Sequence, residues 1–291
     1  MKLFVVACLA LAAFAVAEDN SSFETSPVYG YHRRAGIPLA AEIQRAEAAE
    51  IAAPGRIVGG SITDISQVPY QAGLVLTINW FWQSVCGGSL ISNNRVITAA
   101  HCQHDGENTA TSITVVLGTN TIFTGGVRIV TRDVTMHPRW NPRNADSDIA
   151  VIRISSVTFS NVIQAINLPD AHLNNNFVGS TALASGWGRT SDGSSGGISN
   201  TQRISSVNLP IITNAECTAY YGPWMHATNI CTSGAGGQGT CGGDSGGPLV
   251  VNVNGNVLVG VTSYGSTRGC QAGEPAAFAR VTSFVSWIRS I

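Results

Sequence analysis

The chain has 291 residues, of which 44% are hydrophobic and 11% charged, with 32 glycines and a formal net charge of −1. That composition excludes bulk intrinsic disorder and a long coiled coil. Near-neutrality excludes a general electrostatic attraction to nucleic acid or an anionic membrane, so neither is expected as a partner.

Lys2, the apolar stretch Leu3 to Val16 and the small residues of Ala15-Val16-Ala17 read as a secretory signal peptide cut after Ala17. The apolar run is shorter than the roughly 20 residues that span a bilayer, and the expected destination is extracellular. Residues 18–56 carry six acids, four arginines and the sequon Asn20-Ser21-Ser22. The Ala/Glu-rich run Ala40 to Ala53 predicts a short helix stopped by Pro54-Gly55. Arg56, before Ile57-Val58-Gly59-Gly60, stands in a Pro/Gly-flanked stretch that suits either a proteolytic cut or an ordinary linker.

From Ile57 onward, short β-branched and apolar runs alternate with Gly, Asn, Pro and Ser clusters. Gln71 to Leu76, Arg95 to Thr98, Ile113 to Leu117, Ile149 to Ile152 and Val257 to Thr262 read as strands of an all-β barrel or sandwich. Phe284, Val285, Trp287, Ile288 and Ile291 form the apolar stripe of a terminal helix. The stretch Asn167 to Asn176 is the expected divide between two halves, about 57–166 and about 167–291.

Beyond Cys8 there are six cysteines: Cys86, Cys102, Cys217, Cys231, Cys241 and Cys270. In an exported chain they suggest three disulfides, and counting alone permits 15 connectivities. A zinc site fits poorly, because no C-x-x-C or H-E-x-x-H pattern is present.

Chemistry concentrates in Cys241-Gly242-Gly243-Asp244-Ser245-Gly246-Gly247-Pro248. A serine between glycines can sit on a tight turn with backbone N–H groups converging nearby, but its hydroxyl needs a base to become nucleophilic. His101, in Thr98-Ala99-Ala100-His101-Cys102, is the candidate base. Asp148, an acid entering the apolar run Ile149-Ala150-Val151, is the candidate carboxylate to fix the imidazole tautomer. Taken singly, each has a plainer reading as a turn, a structural histidine or a cap. A phosphate loop is excluded, since no lysine follows Ile57.

Together, IVGG after an arginine, TAAHC, DIAVI, SGWG and GDSGGP, in that order, resemble the trypsin/chymotrypsin family of serine peptidases over residues 57–291. The resemblance is greatest to insect digestive enzymes of chymotrypsin type. It implies two packed antiparallel β-barrels, a C-terminal helix, and the pairings Cys86–Cys102, Cys217–Cys231 and Cys241–Cys270. It assigns His101, Asp148 and Ser245 to a catalytic triad and the N–H groups of Gly243 and Ser245 to an oxyanion hole. It also implies a zymogen. A trypsin-like protease would cut after Arg56, and the new Ile57 ammonium would insert beside Asp244. No cysteine in residues 18–56 would retain the propeptide covalently. Protein protease inhibitors are expected partners.

By the same resemblance Gly239 lies at the base of the specificity pocket, Gly265 and Ala276 form its walls, and Ser263-Tyr264-Gly265 is the strand that pairs with substrate backbone. An uncharged base between small walls predicts a chymotrypsin-like preference for large apolar or aromatic residues before the cut. Glu274, two residues from a wall, keeps a broad collagenolytic or elastase-like enzyme as the alternative. A non-catalytic homologue acting as a binding protein is the less favoured reading, because all three triad positions are intact. Thr119 follows Leu117-Gly118 where calcium-binding relatives carry glutamate, so no metal and no cofactor are expected.

From Ile57 onward there are 11 arginines and no lysine. Arginine keeps its charge at pH values where lysine loses it. Work in a strongly alkaline gut fluid and a codon or lineage bias are both open explanations.

Overall fold

The computed structural model describes residues 26–52, 63–192 and 202–291. The expected signal peptide, the Asn20 sequon, Arg56 and Ile57 lie outside the described residues.

Thirteen strands among these residues form two antiparallel sheets. The first holds β1 (Gln71–Ile78), β2 (Trp82–Ser92), β3 (Arg95–Thr98), β4 (Ala110–Leu117), β5 (Val127–Thr131), β6 (Val134–Met136) and β7 (Ala150–Arg153). Their order is β5-β4-β1-β2-β3-β7-β6. The two edge strands, β5 and β6, are joined by Arg132-Asp133 alone, so the sheet must curl until its edges meet. At that seam Thr131 Oγ1, at the end of β5, donates to Arg153 O in β7 at 2.8 Å. The second sheet is a closed barrel, β10-β13-β12-β11-β8-β9, built from β8 (Thr181–Gly186), β9 (Ser205–Ile212), β10 (Asn229–Thr232), β11 (Pro248–Asn252), β12 (Asn256–Tyr264) and β13 (Ala276–Arg280). Closure leaves no open edge.

The five expected strands are present with ends shifted by up to three residues, Ile149 falling just outside β7. Three of those the pattern did not disclose contain residues unusual inside strands. β2 contains Gly87-Gly88, β9 contains Pro210, and β11 starts on Pro248. Cross-strand pairing and burial override these local preferences: Gly87 pairs with Gly73, and Pro210 with Thr181.

Four helices complete the described fold: α1 (Ile37–Ala52), α2 (Ala100–Gln103), α3 (Asn214–Tyr221) and α4 (Val285–Ser290). α1 starts three residues before the run Ala40 to Ala53, with Pro38 just past the switch from π- to α-helical pitch. It continues from a π-helical turn at His32–Gly36. α3 opens with a capping box in which Thr213 and Glu216 satisfy each other's backbone N–H groups. α4 buries Val285 and Ile288, and Arg95 anchors the chain end through a 2.7 Å bond to Ile291 O.

Disulfides join Cys86 to Cys102, Cys217 to Cys231 and Cys241 to Cys270. The sheets meet where Ser185 Oγ donates to Gln71 Oε1 at 2.7 Å and Trp187 Nε1 donates to Asn120 O at 2.8 Å. No helix among the described residues is long and apolar enough to cross a membrane.

Candidate active site

His101 stands on α2, one short turn beyond the buried end of β3. The Cys86–Cys102 bond ties that turn to β2. Asp148 precedes β7 and follows Ala145 and Ser147, both at positive φ (58° and 56°), a conformation uncommon for residues with a side chain. That backbone turns the carboxylate inward. Oδ1 accepts from His101 N at 2.9 Å, and Oδ2 lies 2.7 Å from His101 Nδ1. Ser263 Oγ donates to Oδ2 at 2.6 Å. Three donors offset the cost of burying this acid.

A carboxylate only accepts, so Nδ1 carries the hydrogen and Nε2 keeps a free lone pair. Nε2 is buried and makes no hydrogen bond among the described residues. In particular it does not bond Ser245 Oγ.

Ser245 occupies the turn between Cys241 and Pro248, held by backbone bonds on both sides. Its carbonyl accepts from Gly87 N at 2.7 Å, and Gly246 N donates to Thr262 O at 2.8 Å. Gly246 has φ +80°, and a Cβ there would press on Gly87 O and Thr98 Oγ1. Only glycine fits so close a crossing of the two sheets. Gly243 has φ +100°.

Asp244 points away from the cleft. Its Oδ1 accepts from Gly188 N and its Oδ2 from Cys241 N, both at 2.9 Å. A Cβ on Gly186 or Gly188 would overlap this carboxylate, which gives both glycines of the SGWG motif a steric reason. Burial pushes the Asp244 carboxyl up to about 6.

Ser245, Ser263, Tyr264 and Gly265 share the wall of one cavity of about 400 Å³. Gly239 instead lines an adjoining cavity of about 210 Å³, alongside Ser185, Gly186 and Asp244. Ala276 is buried in β13 within the second barrel's core. The structure therefore gathers the strand 263–265 around Ser245 but does not open the expected base and wall into the same space. Glu274 is engaged by Ser266 Oγ and by an ion pair with Arg268.

Ligand atoms of Cys86, His101 and Cys102 lie within 4.8 Å of one another, as do those of Asp192, Cys241 and Cys270. All four sulfurs are in disulfides, which removes the thiolates a metal would need.

Sequence reasoning missed the contribution of residues 26–49. Val28, Tyr31, Leu39, Ala40 and Ile43 are buried against the body, and Tyr31, Arg34 and Leu39 help line the 400 Å³ cavity. Leu39, Ala40, Ile43, Ala46 and Glu47 recur at helical spacing, a signal for one buried face of α1. No such signal marks Tyr31.

A model of the trypsin family matches residues 57–288, and the chain belongs to that family. It is 43% identical to brachyurin of Leptuca pugilator over 238 residues, covering 80% of this chain and 97% of that one. It is 39% identical to serine protease 1 of Drosophila melanogaster over 236 residues, covering 81% and 85%. The collagenase of Hypoderma lineatum is 38% identical over 240 residues, covering 81% and 86%. A solved structure of HL collagenase superposes with a TM-score of 0.72 at 36% identity, covering 80% of this chain and 97% of its own.

Proposed function

We propose that this chain is the secreted precursor of a digestive serine endopeptidase, with signal peptide 1–17, propeptide 18–56 and peptidase domain 57–291. The observation that carries the reading is the buried His101–Asp148 pair, which leaves one imidazole lone pair unbound beside the Ser245 turn. In the working enzyme His101 takes the Ser245 proton as Oγ attacks the peptide carbonyl, then gives it to the leaving amine. Water hydrolyses the resulting ester by the same relay. The N–H groups of Gly243 and Ser245 receive the developing oxyanion, a contribution of about 3 kcal/mol for each donor.

Activation begins with hydrolysis of the Arg56–Ile57 bond, which adds one water and leaves a carboxylate and an ammonium. Asp244, pushed up to about 6 by burial, is the partner that ammonium would satisfy, and the charge would pull the carboxyl back down. Movement of the Asp244 turn toward Ile57 would bring Gly239 and the wall at Ala276 into the cleft.

Gly239 offers no charge to a basic side chain, and Glu274 is already neutralised by Arg268. Both favour a chymotrypsin-like preference. The relative named collagenase supports a second reading of broad, collagenolytic specificity. Peptides differing only at the residue before the cut distinguish them. The first reading expects Phe, Tyr and Leu to exceed Arg and Ala by about a hundredfold in kcat/KM, corresponding to roughly 3 kcal/mol of pocket discrimination. Comparable rates on all five would establish the second. Arg56→Ala is expected to leave an inactive precursor, and an organophosphate should label Ser245 of the processed wild type. A processed chain neither labelled nor active would be a non-catalytic homologue.

A further inference from the structure

Residues 26–49 lie across the cleft as a folded ligand. Ser26 Oγ donates to Pro142 O at 2.6 Å, and Gly30 N donates to Asp105 O at 3.0 Å. His32 is bound at two points: its N–H donates to Asp105 Oδ2 at 2.8 Å, and its Nδ1 meets Ser84 Oγ at 2.9 Å. Further on, Glu42 receives Arg189 through both carboxylate oxygens at 2.8 and 2.9 Å. Glu47 accepts from Ile122 N at 2.7 Å, from Phe123 N at 3.1 Å and from Thr124 Oγ1 at 2.9 Å. These anchors run from the loop before Asp148 to the turn after β4. They bridge both walls of the cleft.

Tyr31 sits at the centre. Its ring packs edge-on against the His101 imidazole at 4.8 Å, and its hydroxyl donates to Val85 O at 2.8 Å. Tyr31, Leu39 and Ser245 line the same cavity. The side chain of Leu39 fills the space a Cβ on Gly243 would need. The Tyr31 side chain therefore occupies cleft space beside His101 and Ser245 that a substrate would need. It carries no acyl carbon for Ser245 to attack, so the plug is not itself a substrate at this point.

We propose that residues 26–49 are a built-in inhibitor of the cleft, and that after the chain is cut behind Arg56 this segment stays bound until it dissociates. None of its anchors depends on the Arg56–Ile57 bond. The cleft thus has a second partner besides substrate: a helical peptide with a Tyr-His knuckle at one end. A freshly cut molecule remains blocked, and its activity rises on dilution or when the segment is degraded. The inference rests on the peptidase reading for its consequence, though not for the docking itself.

The test uses the full chain, nicked once behind Arg56 by a brief arginine-specific digestion and verified by mass. Gel filtration at about 10 µM follows the segment, a concentration that retains ligands of micromolar affinity or better. The segment should co-elute with the body in the wild type. Its dissociation constant should rise about tenfold or more in Tyr31→Ala and in Leu39→Ala, as expected for buried anchors. Turnover of a small chromogenic peptide per nicked molecule should increase as the wild type is diluted and be independent of dilution in the variants. Immediate separation of the wild-type segment, or equal retention in wild type and both variants, would overturn the proposal. Co-elution without turnover, even after the segment has been removed, would uphold the docking and overturn the peptidase reading instead.

Discussion

On the side of the first sheet, His101 and Asp148 are fully buried, bonded to each other and fixed by Ser263. On the side of the second barrel, Ser245 lies on a Gly-rich turn, has no bond to His101 Nε2, and faces a cavity from which Gly239 and Ala276 are absent. The proposed base is held mainly by strand ends and a disulfide of the first sheet, with one further bond from Ser263 on β12 of the second barrel. The surroundings of Ser245, the proposed nucleophile, are loops, and loops take their shape from whatever packs on them. Here that is the leader.

The sharpest way to break this comparison is at the catalytic atoms. Ser245→Ala is expected to lower kcat by roughly 10⁴–10⁶, and Asp148→Asn by about 10⁴ through the wrong imidazole tautomer. Titration of an organophosphate against processed enzyme, alongside initial rates, measures both. If Asp148→Asn costs less than tenfold, the buried pair is merely structural.

A second prediction concerns pH and the leader alone. Docking lowers the His32 pKa to about 4, chiefly by burial, with His101 and His104 adding repulsion against the pull of Asp105. A base whose pKa falls on docking favours the docked state fully above its free value and loses that advantage as pH drops through the bound one. Tyr31 is shifted upward, chiefly by burial and further by Asp244, so its protonated phenol is favoured and docking weakens once pH passes the free value near 10. Glu47, also raised by burial, works against the acid arm because docking favours its protonated form. Segment affinity should thus be flat between about pH 7 and 9.5 and fall on both sides, by roughly tenfold to a hundredfold at pH 4.5. His32→Asn should flatten the acid arm and leave the alkaline one. Affinity that improves steadily toward acid would remove His32 from the interface.

The smallest effect is expected at Ser263. Its hydroxyl is one of three donors to Asp148, and a hydrogen bond to a charged acceptor is worth about 1.5–3 kcal/mol. Ser263→Ala should cost roughly tenfold in kcat with KM little changed, since it acts through the orientation of His101 rather than on substrate. A change confined to KM would assign Ser263 to substrate binding only, the role its strand position suggested.

Much of this was legible beforehand, for identifiable reasons. β3 and β7 are short β-branched and apolar runs with one arginine at an end, so their bounds could be read to within a residue. β2, with Gly87-Gly88, could not, because Gly87 is required by the Ser245 turn crossing it in space and Gly88 by its packing on Val96 and Ile97. The motif residues Gly186 and Gly188 were readable only as a pattern until Asp244 appeared between them. The helix in residues 40–53 followed from composition, yet its destination did not. Which face of the body receives α1 is decided by Arg189 and the Ile122–Thr124 turn, far off in sequence. Tyr31 is one aromatic in a run of mixed character, and nothing local reveals that its ring packs on His101.

Asp244 has a practical consequence when combined with the absence of lysine after Ile57. Hydrolysis behind Arg56 gives that portion of the chain a single primary amine. Reductive methylation with isotope-labelled formaldehyde would therefore install one spectroscopic reporter there, with no background from side chains. Its resonance would show directly whether the terminus is free in water, titrating near 8, or sealed against a carboxylate and titrating well above that.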